Sequence, residues 1–269
     1  MASNLQQNMG ERRFGQVNWL GAQTLAEREI QRFLNIWTQT LLAPMMTAGL
    51  FIAVFSLALA DRRGDVMGVS FLQFIVPGIL IMTVIQNAFA NTSSSIVVSK
   101  VQGNIVDTLM PPLSAGEILF GYVAGGLVRG MMVAVTVAIV FFPLLGVGLA
   151  HPLWALAFTV LGSVMLGLLG LLAGIYSEKF DQMAAITNFV VTPLAFLSGT
   201  FYSIEALPGW MQAVSHANPM FYVIDGFRFG TLGVSDSSPW LGLAVVQGAC
   251  IALWAVSWRM IDQGTRLKS

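Results

Sequence analysis

Cysteine occurs once, at Cys250, and histidine twice, at His151 and His216. A lone cysteine excludes a disulfide framework or a Cys-rich metal site within the chain. Two isolated histidines support neither metal nor nucleophilic chemistry. Charge is scarce as well: 10% of the 269 residues are Asp, Glu, Lys or Arg, against about a quarter in a soluble domain. The 13 cations balance the 13 anions, so no basic field argues for nucleic acid. No G-x-x-x-x-G-K-[ST] phosphate loop occurs, which removes that route to binding ATP. No convergent His, Asp, Glu or Cys set suggests an enzyme. The polar opening stretch, despite the Arg12–Arg13 pair, has no short apolar core of a secretory signal.

What is present is apolar. Hydrophobic residues make up 56% of the chain and the mean hydropathy is +0.75, so the protein is expected in a bilayer. A spanning helix needs about 20 mostly apolar residues, and six stretches qualify: Thr40 to Ala60, Phe71 to Asn91, Ile118 to Leu145, Leu153 to Tyr176, Ala184 to Tyr202 and Trp240 to Met260. An even number puts both termini on one side. If that side is cytoplasmic it holds Arg12, Arg13, Arg28, Arg32, Lys100, Lys179, Arg259, Arg266 and Lys268, against Arg62, Arg63 and Arg228 opposite, the bias that positive-inside loops require.

Three segments break the pattern of spans. Ahead of the first, Ala26, Ile30, Phe33, Trp37 and Leu41 recur at three- and four-residue spacing with Arg28, Gln31, Arg32 and Asn35 opposite, an interfacial amphipathic helix. Thr24 and Glu27 suit a capping box at its start. It is either a plain anchor or a grip on a partner. Between spans two and three, Asn104 suits an N-cap, Asp107 a first turn, and Pro111 and Pro112 a stop. A short cytoplasmic helix of about two turns is expected there, presenting Ile105, Val106, Leu109 and Met110 either for docking or as interfacial packing. Ser114 and Glu117 then form a Ser-x-x-Glu box that opens the third span. The region from Ser203 to Gly233 is aromatic yet interrupted by Pro208, Gly209, Pro219, Gly226 and Gly230, so two short helices dipping in from the outer side are expected. Asn218 before Pro219 reads as a helix start.

Inside the spans one charge stands out. Arg129 falls roughly 16 Å past Ile118, near mid-membrane, where a cation faces a cavity or partner, borders the cargo route or snorkels. Gln86, Asn87, Asn91 and Ser94 share a broad helical face, fit for a wet lining or for packing. Glycine pairs at four-residue spacing, Gly121 with Gly125, Gly126 with Gly130 and Gly170 with Gly174, permit close helix contact. Phe196, Phe201, Tyr202, Trp210, Phe221 and Tyr222 cluster around the outer segment, as a cargo lining or an interfacial belt. Asp225 and Arg228, three apart, can pair.

The stretches "QFIVPGIL" (Gln73 to Leu80), "MPPLSAGEI" (Met110 to Ile118), "LSGTFYSIEALPGW" (Leu197 to Trp210) and "NPMFYVIDGFRFGTLG" (Asn218 to Gly233) resemble the ABC-2 type permeases, and among them the bacterial inner-membrane permeases of the YadH type. The resemblance covers the chain from about Gln31 onward. It implies an all-α, six-span membrane subunit of an ABC exporter in the bacterial inner membrane, paired with a second copy of itself and with two ATPase subunits that carry ATP and Mg. It also implies a division of the chain: a polar tail over 1–23; a connecting helix over 24–39 whose Glu27, Arg28 and Arg32 would grip the ATPase; and a membrane domain over 40–260, followed by a cytoplasmic tail over 261–269. Within that domain a coupling helix at 104–110 would use Asn104, Ile105, Val106, Asp107, Leu109 and Met110, and 203–233 would be re-entrant. Arg129, Asn87, Asn91, Phe196, Phe201, Tyr202 and Tyr222 are the candidates for the cargo path. Pro111 with Pro112 departs from the single proline common in relatives. The acids avoid the expected span interiors, which argues against an ion-coupled carrier, and the importer E-A-A loop is missing, so export is expected. An amphipathic or lipid-like cargo suits the aromatic, nearly uncharged interior, with lipid-linked polysaccharide as the alternative.

Overall fold

In a bilayer each backbone N–H and C=O must be satisfied within the protein, by helices or closed barrels, and unbroken apolar runs of about 20 residues suit helices. A computed structural model describes residues 17–59 and 64–266. Most of the expected polar tail, with Arg12 and Arg13, lies outside the described residues, as do Ala60, Arg62, Arg63 and Lys268. The helices are α1 (Trp19–Leu34), α2 (Trp37–Leu59), α3 (Phe71–Val101), α4 (Val106–Leu109), α5 (Ala115–Leu145), α6 (Pro152–Tyr176), α7 (Phe180–Ile186), α8 (Thr192–Phe196), α9 (Gly209–Ala217), α10 (Pro219–Leu232) and α11 (Pro239–Asp262). Among the described residues, five of them (α2, α3, α5, α6 and α11) are long and apolar enough to span.

The fifth expected span, Ala184 to Tyr202, is segmented. Helix α7 runs into a π-helical turn, Thr187–Val191, then α8, and gives way to turns from Leu197. Pro193 explains the wide turn. Its missing N–H cannot bond the carbonyl four residues back, at Phe189, and its ring would strike it, so the backbone there opens out.

Helices α3 and α6 form the centre and pack most extensively on each other, while α2 and α11 stand at the periphery with mostly exposed apolar faces. Close approach needs glycine at two seams. A Cβ at Gly174 would lie 3.0 Å from the Ser93 carbonyl oxygen, where α6 crosses α3, and one at Gly125 would lie 2.6 Å from Glu29 Cβ, where α1 crosses α5. The four-residue glycine spacing thus marks real contacts. Two apolar cores result, one around Phe74, Ile81, Phe158 and Phe221 and one around Leu25, Ile96, Leu119 and Leu171. Between them α3 buries Asn91, Thr92 and Ser93. Lys100 ties the end of α3 to the end of α6, donating to the carbonyls of Gly174 at 3.2 Å, Ser177 at 3.3 Å and Ile175, where a cation suits the helix dipole.

Caps explain most boundaries. The Ser114–Glu117 capping box forms as the sequence indicates, with Glu117 Oε2 accepting the Ser114 N–H at 2.6 Å. Asn218 caps α10 through a 3.0 Å bond from the Met220 N–H, with Pro219 in the first turn. Two expected caps are corrected. Helix α1 starts at Trp19, not Thr24: Asn18 Oδ1 accepts the Gly21 N–H at 2.9 Å, and the Thr24 hydroxyl donates back to the Leu20 carbonyl at 2.8 Å. The Asn18 N–H in turn donates to Glu117 Oε1 at 2.7 Å, so a contact across the fold fixes where the helix begins. The same helix ends at Leu34, and Trp37 opens α2 instead of closing the amphipathic stripe. The residues α1 buries are Ala22, Leu25, Ala26, Glu29 and Phe33.

Asn104 is no side-chain cap either. Gly103 turns left-handed at φ 73, and the N–H groups of Asn104 and Ile105 bond back to the Ser99 carbonyl at 3.0 and 3.1 Å. Asn104 therefore terminates α3, and only one helical turn, Val106–Leu109, remains for the knob that follows. On the opposite end of the bundle, a 3-10 turn at Ile204–Ala206 and α9 lead into α10. That last helix is buried along most of its length against α6, α11 and α3, so protein covers its backbone.

Candidate functional site

The knob and the membrane helices are joined by one hydrogen-bonded network. Thr108, the buried residue of α4, accepts from Arg28 Nη1 at 3.0 Å. Arg28 Nη2 reaches Glu29 Oε1 at 3.2 Å, and Arg32 Nε reaches Glu29 Oε2 at 3.3 Å. Glu29, only 1% exposed, also accepts from the Ser95 hydroxyl on α3 at 2.9 Å. Arg32 Nη2 continues to the Asn91 carbonyl at 2.7 Å and to Asn91 Oδ1 at 3.1 Å, and its Nη1 to Ser94 Oγ at 3.4 Å. A buried carboxylate needs such paired donors to offset its desolvation. The network therefore binds α1 and α3 and carries α4 along with them.

The outer surface of the knob is free. Val106 is 50% and Met110 76% exposed, and Asp107 is exposed as well. Ile105 is buried in the core around Leu25, Ile96, Leu119 and Leu171, and Leu109 is half-buried against it. This corrects the expectation that Ile105 belongs to a docking face.

Beside the network lies a cavity of about 580 Å³ bounded by the start of α2, by α3 and α5, and by the π-helical turn. Arg32 and Arg129 line it with Gln39, Asn87, Asn188 and Phe89 among others. Arg129 Nη2 donates to Asn87 Oδ1 at 3.2 Å, while its Nε is enclosed with no acceptor. The sequence placed Arg129 and Asn87 on different spans, and the fold brings them together.

A second charged cluster closes the opposite end. Arg228 is 0% exposed. Its Nη1 lies 3.8 Å from Asp225 and 3.6 Å from Asp236, its Nη2 donates to the Gly199 carbonyl at 2.6 Å, and Phe74 lies 3.9 Å from the guanidinium carbon. Asp225 accepts from the Asp236 N–H at 2.7 Å and from the N–H and hydroxyl of Ser237, both at 2.9 Å. Ser203 donates to Asp236. The expected Asp225–Arg228 pair is present, enlarged into a clamp that joins α10 to the turns at Gly199 and Asp236.

The remaining candidates separate. Asn91 belongs to the charged network. Phe196 and Phe201 stack at 5.5 Å, and Phe201 stacks on Phe55 at 5.0 Å; Tyr202 donates to the Phe196 carbonyl at 3.1 Å. Tyr222 sits apart, buried beside Phe221 and His216, so the aromatics form two groups instead of one lining. Glu27 is exposed on α1 and bonded to Gln23. Glu29 and Asp236 escaped sequence reasoning. For Glu29 a signal existed: it sits four residues from both Leu25 and Phe33 on the stripe that α1 buries, where an apolar residue is expected, with Arg28 and Arg32 beside it. Nothing in the loop around Asp236 marks it.

The family model described as "ABC-2 type transporter" matches residues 21–232. The inner membrane transport permease YadH of Escherichia coli K12 is 39% identical over 254 residues, covering 93% of this chain and 98% of that protein. A daunorubicin resistance ABC transporter permease protein of Streptomyces coeruleorubidus is 26% identical over 223 residues, 80% of this chain and 75% of its own. Nodulation protein J of Rhizobium leguminosarum bv. viciae is 24% identical over 241 residues, 86% of this chain and 89% of its own.

Proposed function

Because the chain belongs to the ABC-2 type transporter family, we propose that it is the membrane half of an exporter that moves an amphipathic or lipid-like compound across or out of a bacterial inner membrane. A multi-pass transport subunit of an ABC transporter works with an ABC ATPase. In this reading two copies of the chain pair, two ATPase subunits sit beneath them, and ATP and Mg stay on those subunits. Both termini and α4 face the cytoplasm, as the distribution of Lys and Arg favours. A relative whose name carries drug resistance supports outward transport.

The observation that carries the coupling is the continuous path from Thr108 through Arg28, Glu29 and Arg32 to Asn91, which ends beside the cavity. When the ATPases close, force on Val106, Asp107 and Met110 is handed by Arg28 to α1 and by Glu29 and Arg32 to α3. The helices that border the cavity then move as packed bodies between discrete arrangements. Hydrogen bonds to charged groups contribute about 1.5–3 kcal/mol each, and less where, as at Arg28, the guanidinium is partly open to water.

Co-reconstitution with the partner ATPase tests this. Val106→Asp with Met110→Asp places charge on side chains that are 50% and 76% exposed, so insertion and folding should stay close to the wild type. ATPase recruitment should fall at least about tenfold, the effect of about 1.4 kcal/mol lost at an interface. Unchanged recruitment and transport by that double variant would sink the assignment.

A further inference from the structure

Charge is unbalanced around the cavity. Among the described residues, three arginines meet one carboxylate: Glu29 pairs with Arg28 at 3.2 Å and Arg32 at 3.3 Å, and no Asp or Glu pairs with Arg129. The lining contains none either. Of the five N–H donors of the Arg129 guanidinium, one is spent on the neutral Asn87 oxygen at 3.2 Å, and the enclosed Nε finds no acceptor. The Asn87 amide nitrogen is already committed to the Thr83 carbonyl at 3.0 Å. A cation inside a membrane helix with so little compensation is costly, and a bound anion would offset that cost.

The shape of the space narrows the anion. About 580 Å³ is far more than a small free ion fills, and the wall combines Arg32 and Arg129 with Ile36, Phe89, Met183 and Val191. A carboxylate can bridge two guanidinium groups, as Glu29 does with Arg28 and Arg32, but a phosphate presents further oxygens for the donors that Arg129 leaves free. We propose that the cavity between α3, α5 and the π-helical turn receives the phosphate-bearing headgroup of an amphiphile, with Arg129 as the principal contact and Arg32 at the rim. This rests on the reading of the cavity as part of the cargo route and names the chemistry of that cargo. The same arginine that grips the headgroup from the rim is bonded to Asn91 and Glu29, so occupancy is felt by the path that leads to the knob.

The test is a binding titration of the full-length chain in a neutral detergent, followed by thermal unfolding, which needs no ATPase. Short-chain phosphatidylglycerol should raise the unfolding temperature saturably, the uncharged diacylglycerol with the same chains should not, and inorganic phosphate should act at least about tenfold more weakly. Arg129→Gln, which can keep a hydrogen bond to Asn87, should weaken the phosphatidylglycerol response at least about tenfold, while Arg259→Gln on the exposed end of α11 should leave it unchanged. If Arg129→Gln does not accumulate, Arg129→Lys retains the charge without the fork and should show a smaller loss. An equal response to diacylglycerol, or an unaltered response in the Arg129 variants, overturns the proposal. Inorganic phosphate acting as tightly as the lipid overturns the amphiphile and leaves a free-anion site. These outcomes concern the headgroup alone; normal lipid binding with no ATP-driven export by the reconstituted pair would overturn the transport reading instead.

Discussion

Arg228 and Arg129 are both arginines carried on helices deep in an apolar protein, and they are treated in opposite ways. Arg228 is enclosed by two aspartates, a carbonyl and a phenyl ring; its Nε and Nη1 make no hydrogen bond, but carboxylates at 3.8 and 3.6 Å balance its charge. Arg129 has one amide oxygen and an open cavity. A charge that only holds the fold together is surrounded by partners from several elements. A charge left with donors to spare beside a void is positioned for something the chain does not itself contain. The Arg28–Glu29–Arg32 network lies between these extremes, closed toward α3 and open toward the knob.

Stability measurements can break or sharpen that contrast. The largest effect is expected from Arg228→Ala, which strands Asp225 and Asp236 in the interior and should cost about 3–5 kcal/mol, as loss of one partner from a buried ion pair does; it should show as the deepest drop in thermal unfolding temperature of the set. Glu29→Ala comes next. It frees Arg28, Arg32 and Ser95 but leaves the two partly exposed guanidinium groups within reach of water, so about 1–3 kcal/mol is expected, read in the same assay. Arg129→Gln should be the mildest, within about 1 kcal/mol of the wild type, because it removes little that the unliganded protein uses. If Arg129→Gln proved as damaging as Arg228→Ala, the distinction between a structural and a ligand-facing arginine would fail.

Local chemistry made much of this architecture readable. The Ser114–Glu117 box, the Asn218–Pro219 start and the four-residue glycine spacing act over a turn or two of helix, and each does in space what its spacing implies. What could not be read depends on contacts distant in sequence. The start of α1 is decided at Asn18 by Glu117, a residue from another helix. The knob shrank because α3 continues through Lys100 and consumes Asn104 in its termination. Ile105 has the character of a docking residue, but the core it shares with Leu119 and Leu171 claims it. The arginine-lined cavity required α3 and α5 to meet with Asn87 opposite Arg129, a pairing that spacing along either helix does not encode.

The π-helical turn has a consequence for the surrounding lipid. With α7 and α8 it makes a rod of 7, 5 and 5 residues, at most about 25 Å long at 1.5 Å per residue, against a hydrocarbon layer of about 30 Å. Its neighbours α3 and α6, at 31 and 25 residues, have length to spare. Where such a short wall meets lipid, thinning of the adjacent bilayer is one way to relieve the mismatch, and it would shorten the distance a polar head has to sink to reach the cavity.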